Sequence, residues 1–216
     1  MRSDSPSTAE RGPAGTPIPE PVLGGIEAHL RDREARREAL YQRARRLRRL
    51  SQATVGHLHS HGSAPRELDE VRRGLAELAG AVRTDGRGDE PVALDAFQEA
   101  VEACLLGAIV ARTALPTPAE LGVEPEPYLL GLGDVVGEVR RLVLDRLGSD
   151  DLPAAEELLG LMERLSEALL RFDAARAIVQ LKPKQDQARI LLERTRGEVV
   201  MARCLLRARP AAPEAR

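Results

Sequence analysis

AFQEAVEACLLGAIVA, from Ala96 to Ala111, is almost wholly apolar, yet it carries Glu99 and Glu102 and contains no lysine or arginine. From Val101 onward it is apolar almost all round, which indicates a helix buried in a bundle or an oligomer. At about 100° per residue, the two glutamates share one helix face. An ionised carboxylate in such surroundings must pair with a cation, bind a metal or take up a proton. The stretch therefore predicts a buried helix whose acids need a partner from elsewhere in the chain.

The composition of the chain favours an all-α protein. Its 216 residues are rich in Leu, Ala, Arg and Glu, with two Phe, two Tyr and no Trp, and such residues favour helix over sheet. The length suits one domain with a sizeable core. We expect a disordered tail over residues 1–21, a single helical domain over 22–208 and a flexible tail over 209–216, because the two ends lack apolar periodicity.

Apolar spacing predicts six long helices and one short one. In the first helix, the recurring apolar residues are Ile26, Leu30, Leu40, Leu47, Leu50 and Leu58. The segment from Gly148 to Asp151 is expected to end the fourth long helix and to offer an aspartate, Asp150 or Asp151, as the N-cap of the next. The predicted long helices are 22–59, 66–82, 92–113, 128–147, 152–172 and 183–206, and a single turn is predicted at 118–121.

The charge of the chain is strongly asymmetric. The formal net charge is -2, but the stretch from Arg31 to Arg49 holds nine arginines and three acids. A charge run of this kind fits either an anionic partner or a solvated helix face. Guanidinium groups hold phosphates and stack on bases of a single strand. The candidate nucleic-acid-binding residues are Arg36, Arg37, Arg43, Arg45, Arg46, Arg48 and Arg49.

Cysteine and histidine usage indicates no redox or metal motif. Cys104 and Cys204 lie far apart in apolar helical patterns, so both are expected to be reduced core thiols. His57, His59 and His61 alternate, and we expect them at a solvent-facing helix end rather than around a metal. The sequence contains no signal-peptide core and no long uncharged apolar run, so no membrane association and a cytoplasmic location are expected.

A second pair of acids occurs in YLLGLGDVVGEVRR, where Asp134 and Glu138 share a helix face at a spacing of four residues. Gly133 directly precedes Asp134, and Gly137 directly precedes Glu138. Each glycine costs about 1 kcal/mol of helix propensity relative to alanine. That cost indicates that another backbone or a ligand approaches closely. The two acid-bearing helices are then expected to cross with four carboxylates facing one another.

Four carboxylates that meet in this way repel one another unless a cation lies among them. Mg²⁺ or Mn²⁺ fits, because hard divalent cations prefer carboxylate and water ligands. One or two metals are both compatible with the spacing. The alternative is that the acids face water or pair with Arg112, Arg140, Arg141 or arginines of the first helix.

Two motifs resemble those of the translin family: QEAVEA at Gln98 to Ala103 and, more specifically, PYLLGLGDVVGE at Pro127 to Glu138. The resemblance covers residues 26–206. It includes the basic run DREARREALYQRARRLRR and the late segment LKPKQDQAR. Within the family, the chain is similar to the catalytic branch, translin-associated factor X.

This resemblance implies a bundle of about seven helices that assembles into a closed, hollow homo-oligomer, either an octamer or a hexamer. It implies binding of single-stranded RNA, with single-stranded DNA as a second partner. It also implies a Mg²⁺-dependent endoribonuclease, with Mn²⁺ as an alternative metal. The acids that would hold the metal and carry catalysis are Glu99, Glu102, Asp134 and Glu138. The alternative function is a non-catalytic nucleic-acid-binding oligomer, as in the translin branch.

Overall fold

The computed structural model describes residues 18–85, 91–172 and 179–208, and these ranges contain seven helices and no strand. In chain order the helices are α1 (Glu20–His61), α2 (Pro65–Asp85), α3 (Pro91–Val110), α4 (Pro118–Leu121), α5 (Pro125–Gly148), α6 (Leu152–Leu170) and α7 (Lys182–Ala208). The predicted all-α fold with about seven helices is confirmed. Most of the first predicted tail and all of the second fall outside the described residues.

The chain divides into two compact units, Met1–Ala39 and Leu40–Arg216. In the described part of the first unit, every residue is exposed, including Ile26 and Leu30, which the sequence places on the apolar face of the first helix. The apolar core begins at Leu40. The sequence predicts one domain from residue 22, whereas the core of the structure includes only the residues of α1 from Leu40 onward.

Helix α3 is the most deeply buried element of the second unit. From Ala100 to Ala108 every residue except Glu102 is buried. Helices α2 and α5 both pack against it. The predicted burial of this helix is therefore confirmed, and helices of the same chain provide the cover.

Helix α3 ends at Val110, three residues before the predicted end. Arg112 adopts a left-handed backbone conformation with φ of 55°. The N–H of Arg112 donates to the carbonyl of Ile109 at 3.1 Å, and the N–H of Thr113 donates to that of Ala108 at 2.9 Å. These bonds form a Schellman motif, which satisfies the last carbonyl groups of the helix.

Side-chain caps begin two of the later helices. Thr117 and Glu120 form a capping box at the start of α4, which coincides with the predicted turn at 118–121. The carboxylate of Asp151 accepts a hydrogen bond from the N–H of Ala154 at 3.2 Å. The predicted aspartate N-cap of α6 is therefore confirmed, and Asp151 is the residue that forms it.

Three glycines of α5 differ in how closely their neighbours approach. A Cβ at Gly131 would lie 2.7 Å from the carbonyl oxygen of Gln98 on α3, and one at Gly133 would lie 2.8 Å from Cβ of Lys184 on α7. A Cβ at Gly137 would meet only an ordinary contact of 3.8 Å. The close approach expected at Gly133 is found, none is found at Gly137, and the closest backbone contact is at Gly131.

The two cysteines have different environments. Cys104 is buried in α3, and burial raises the pKa of its thiol to about 11, although the Arg72 guanidinium acts in the opposite direction. Cys204 on α7 is exposed, so the prediction of two core thiols is wrong for this residue. Its apolar neighbours Met201 and Leu205 are exposed as well. Among the helices that the structure describes, none has the length and apolar character needed to span a membrane.

The packing at Gly131 predicts a stability difference between two alanine variants of α5. Gly131→Ala should lower the free energy of unfolding by about 1–3 kcal/mol, because its methyl group overlaps the backbone of α3. Gly137→Ala is the matched control and should change it by at most about 1 kcal/mol, in the stabilising direction. Urea denaturation measures both values. Equal effects of the two variants would contradict the close packing at Gly131.

Candidate functional site

A pocket of about 390 Å³ lies between α1, α3 and α5, and all four predicted acids line it. We call it the carboxylate pocket. The acids come from two helices, and α1 contributes the remaining wall. The lining residues are Ser51, Gln52, Val55, Gln98, Glu99, Glu102, Asp134 and Glu138. The two pairs of acids are therefore brought together in the folded chain.

Helix geometry explains how the acids converge. Glu99 and Glu102 lie three residues apart on α3, and Asp134 and Glu138 lie four apart on α5, so each pair occupies one face of its helix. The close contact at Gly131 holds the backbone of α5 against that of α3 just before Asp134. The two acidic faces consequently border the same space.

Glu99 pairs with an arginine of α1. Nε of Arg48 donates to Oε1 of Glu99 at 2.8 Å. The other carboxylate oxygen of Glu99, Oε2, is buried and has no hydrogen-bond partner among the residues that the structure describes. The described residues therefore satisfy Oε1 of this carboxylate and leave Oε2 without a donor.

Asp134 has two partners. The ammonium of Lys184 on α7 donates to Oδ1, and the side-chain amide of Gln98 donates to Oδ2 at 2.5 Å. The stem of Lys184 reaches Asp134 across Gly133, where a side chain would obstruct it. Neither Lys184 nor Gln98 is among the site residues predicted from the sequence. Gln98 stands one position before Glu99 in the QEAVEA motif, and that adjacency was the available signal.

Glu138 is bound by His59 of α1. Nε2 of His59 donates to Oε2 of Glu138 at 2.5 Å, and only 3% of the histidine side chain is exposed. The prediction that His59 faces solvent is therefore wrong. Ser51, Val55 and His59 follow one another at intervals of four residues on α1, so a helical face was the signal that could have identified it.

The other imidazole nitrogen of His59 lacks a partner. Nδ1 is buried without a hydrogen bond, and the nearest carboxylate oxygen, Oδ2 of Asp145, lies 3.9 Å away. His57 and His61 lie beside each other instead, with ring centroids 4.2 Å apart. The three histidines therefore do not form a cluster.

Glu102 differs from the other three acids because no hydrogen bond or ion pair with a described residue holds its carboxylate. Its pKa is raised from 4.5 to about 8. Burial is the largest cause, followed by the negative charges of Asp134, Glu138 and Glu99, while the charge of Lys184 acts in the opposite direction. A nearby positive charge would be needed to keep this carboxylate ionised at neutral pH.

The carboxylate pocket has the donor chemistry that a hard divalent cation prefers. Among the described side chains, none forms an ion pair with Glu102 and none donates to Oε2 of Glu99, which is a buried acceptor. Within the described ranges, however, no three His, Cys, Asp or Glu side chains are arranged so that they could hold a metal ion. Arg48, Lys184 and His59 bind the other carboxylates. The residue types fit such a cation, and the side-chain arrangement is that of a cation-paired cluster.

Arg112 and Arg140, which the sequence analysis named as alternative partners for these acids, bind other carboxylates. Arg112 donates to Glu157 at 2.9 Å, and Arg140 forms two hydrogen bonds with Glu198 at 2.7 and 2.8 Å. Of the alternatives considered, an arginine of the first helix is the one found at the acids.

The remaining arginines of the basic run are exposed. Arg36 and Arg37 lie in the first unit, while the others belong to the second. Arg43, Arg46 and Arg73 line a pocket of about 290 Å³. The other charged residues that line this pocket are Glu70 and Glu77. Arg45 and Arg49 are also exposed. The guanidinium of Arg48 differs from these because it is bonded to Glu99.

Comparison with curated proteins finds one clear relative. No protein-family profile matches the chain. The chain is similar to the uncharacterized protein MJ0175 of Methanocaldococcus jannaschii, with 41% identity over 104 residues. The match covers 48% of this chain and 47% of that protein, so the chain matches about half the length of this curated relative.

Comparison with solved structures finds similar folds over most of the chain. The archaeal protein AfC3PO is 30% identical, with a TM-score of 0.76, over 85% of this chain and 97% of that one. AfC3PO in complex with duplex RNA is 28% identical, with the same TM-score, over 87% and 99% of the two chains. Apo-NeC3PO, from Nematostella, has a TM-score of 0.77 at 20% identity, over 87% and 100%, and shows the fold alone.

The raised pKa of Glu102 predicts how stability depends on pH. Between pH 4.5 and about 8 the folded protein holds a proton at Glu102 that the unfolded chain has lost. The free energy of unfolding should therefore fall as the pH rises through this window. In Glu102→Gln this slope should flatten, and the variant should be more stable than the wild type above the window.

Urea denaturation in EDTA, at pH values across that window, measures this slope. Glu167→Gln is the matched control, because Glu167 is an exposed glutamate of α6. It should keep the wild-type slope. A wild-type slope in Glu102→Gln would contradict a raised pKa for Glu102.

Proposed function

This chain belongs to the translin family, and on that basis we propose that it is a Mg²⁺-dependent endoribonuclease that cleaves RNA in the carboxylate pocket. The observation that carries the proposal is the convergence of Glu99, Glu102, Asp134 and Glu138 on one pocket. Among these acids, Glu102 has no ion pair with any residue of the described ranges. A divalent cation would remove the electrostatic cost of four carboxylates at one place.

The proposed substrate is single-stranded RNA, with single-stranded DNA as a second ligand. Support for RNA comes from the similar protein AfC3PO, which was solved with duplex RNA. Further support comes from the exposed arginines Arg43, Arg45, Arg46 and Arg49 of α1, because phosphate contacts from such residues dominate affinity for nucleic acids. The sequence analysis also assigns Arg36, Arg37 and Arg48 to this role. An RNA substrate fits the cytoplasmic location expected from the sequence.

The four acids would hold Mg²⁺, or Mn²⁺, in this proposal. When bound, such a metal polarises the scissile phosphate, lowers the pKa of a bound water and stabilises the leaving oxygen. The described residues around the acids orient them. Gln98 and Lys184 fix Asp134, and His59 fixes Glu138. Partners of this kind are the usual means of fixing metal-binding carboxylates.

The cationic partners have a second effect on the pocket. An RNA phosphate is an anion, and ionised carboxylates in the pocket would repel it. Arg48 and Lys184 each bring a positive charge to one of those acids. They therefore reduce the repulsion that a phosphate meets when it approaches.

Self-association belongs to the proposal as well, with an octamer or a hexamer as the expected assembly. Its support is the apolar surface that the described residues leave exposed. Large apolar side chains that lie together on one element indicate an interaction surface. They are Val22, Leu23, Ile26 and Leu30 in the first unit, and Ile190, Val200, Met201 and Leu205 on α7.

The second candidate function is a non-catalytic RNA-binding oligomer. One observation favours it: Arg48, His59 and Lys184 already bind three of the four acids. In this alternative those bonds are structural, and the pocket needs no metal. RNA would be bound and left intact under every condition.

Cleavage of an end-labelled single-stranded RNA by the purified protein separates the two functions. We expect cutting in Mg²⁺ and none in EDTA. Glu102→Gln should lower the cleavage rate at least about 100-fold, since losing even an outer partner of a metal ligand costs 10–100-fold in activity. A parallel reaction with duplex RNA of the same sequence tests the preference for single strands.

The control variant for cleavage is Glu167→Gln, which carries the same change on the exposed face of α6. It should cut at the wild-type rate. Intact RNA in every lane, together with a shifted band in a binding gel, would establish the non-catalytic alternative. Cutting that survives both EDTA and Glu102→Gln would show that the active site lies elsewhere.

Metal binding can be measured apart from cleavage. Isothermal titration with Mn²⁺ should give a saturable heat with the wild type that is lost when Glu102→Gln is combined with Asp134→Asn. This result is expected because the two changes remove two of the four proposed ligands. Glu167→Gln should bind as the wild type does. An unchanged isotherm for the double variant would refute the metal assignment.

A further inference from the structure

A second pocket, of about 460 Å³, is lined by α1, α3 and α5, which also form the carboxylate pocket, and by α6. Its charged lining consists of Arg112, Arg141, Arg146 and Asp145, together with His59. We call it the arginine pocket. Three guanidinium groups against one carboxylate make it a cationic site, in contrast to its neighbour. None of these arginines is among the nucleic-acid-binding residues predicted from the sequence.

His59 separates the two pockets. Its Nε2 is bonded to Glu138 of the carboxylate pocket, and its side chain also lines the arginine pocket. On α5, Arg141 and Arg146 follow Glu138 by three and eight residues, which corresponds to about 4.5 and about 12 Å along the helix axis. An extended molecule bound at the acids would therefore reach the arginines over a short distance.

The guanidinium groups of this pocket are available to a ligand. No ion pair with a described residue holds Arg141 or Arg146, and both are exposed. Arg112 is paired with Glu157, but both side chains are mostly exposed, at 75% and 60%. Exposed pairs of this kind contribute little and exchange readily. Guanidinium groups bind phosphate through two parallel hydrogen bonds, a geometry that lysine does not offer.

A second, independent feature indicates a polar occupant. Nδ1 of His59 is buried and has no hydrogen-bond partner, although His59 lines this pocket. Buried polar atoms are rarely left without a partner, and leaving one so is destabilising. A polar molecule in the arginine pocket, with its associated water, would supply the partner that the described residues do not.

We propose that the arginine pocket holds a phosphate group of the RNA strand, next to the phosphate that is cleaved in the carboxylate pocket. This inference rests on the proposed function, because the strand is the substrate named there. Carboxylates by themselves do not attract a phosphate. A cationic pocket that binds the neighbouring phosphate would therefore supply the affinity for the strand that the carboxylate pocket lacks. The phosphate is either an internal phosphodiester or a terminal phosphate, and both present the same oxygens to the arginines.

The test compares Arg141→Gln combined with Arg146→Gln against a control that combines Arg164→Gln with Arg194→Gln. The control removes two exposed arginines from α6 and α7, outside both pockets, so the change in net charge is the same. Binding of a single-stranded RNA is measured in EDTA over a series of salt concentrations, once with a 5′-hydroxyl and once with a 5′-phosphate. Thermal unfolding verifies that both variants fold.

The pocket variant should bind about tenfold more weakly than the control. The slope of log K against log salt should become shallower by about 0.7, which is the value for one lost phosphate contact with a single strand. An equal loss with both RNAs identifies an internal phosphate. A loss confined to the 5′-phosphorylated RNA identifies a terminal one.

The remaining outcomes separate this inference from the proposed function. If the wild type binds and cleaves RNA while the pocket variant behaves as the control does, the arginine pocket has no such role and the nuclease proposal stands. If binding depends on the arginines but no RNA is cut, the inference stands and the nuclease proposal fails. A wild type that binds neither RNA would overturn both.

Discussion

Close packing of α3 against α5 at Gly131 is the constraint on which the candidate site depends. At that position there is no room for a side chain, because the backbone carbonyl of Gln98 lies where a Cβ would be placed. The contact sets the separation of the two helices just before Asp134. Both acidic faces then border one pocket, whereas a wider separation would leave each pair of acids on its own helix surface.

The four acids can lie this close together because basic side chains of other helices bind them. Helix α1 supplies Arg48 and His59, and α7 supplies Lys184. Each binds a different acid, and no residue in the described ranges pairs with Glu102. Burial, together with the charges of the neighbouring acids, raises the pKa of Glu102 to about 8. In the described part of the chain, three of the four carboxylates are thus bonded to a basic side chain, and the carboxylate of Glu102 is not. This combination is the physical basis of the proposal that the pocket binds a cation.

Neighbouring pockets of opposite charge suit a nucleic-acid strand. The carboxylate pocket offers oxygen ligands and the arginine pocket offers guanidinium donors, and His59 lies between them. A polyanion has phosphates at regular intervals, so one can lie at a reacting site while its neighbour is held electrostatically. Positioning of this kind is how remote binding contributes to catalysis.

Local sequence patterns predicted the helices because helix formation depends mainly on apolar periodicity and end signals. The turn at 118–121 and the N-cap at Asp151 were found where expected. The end of α3 was placed too late, since a left-handed Arg112 is not a residue that the pattern favours at a helix end. The exposure of Cys204 was missed for a related reason, because an apolar stripe on a helix does not show whether anything covers it.

The sequence by itself determined the seven helices, the two pairs of acids and the helix face on which each pair lies, because these follow from spacing along one element. Only the tertiary structure decided which cations meet those acids. Lys184 is fifty residues from Asp134 and His59 is seventy-nine from Glu138, and no local pattern specifies contacts at such separations. They arise from how α1, α5 and α7 pack, and packing is determined by the shape of the whole core.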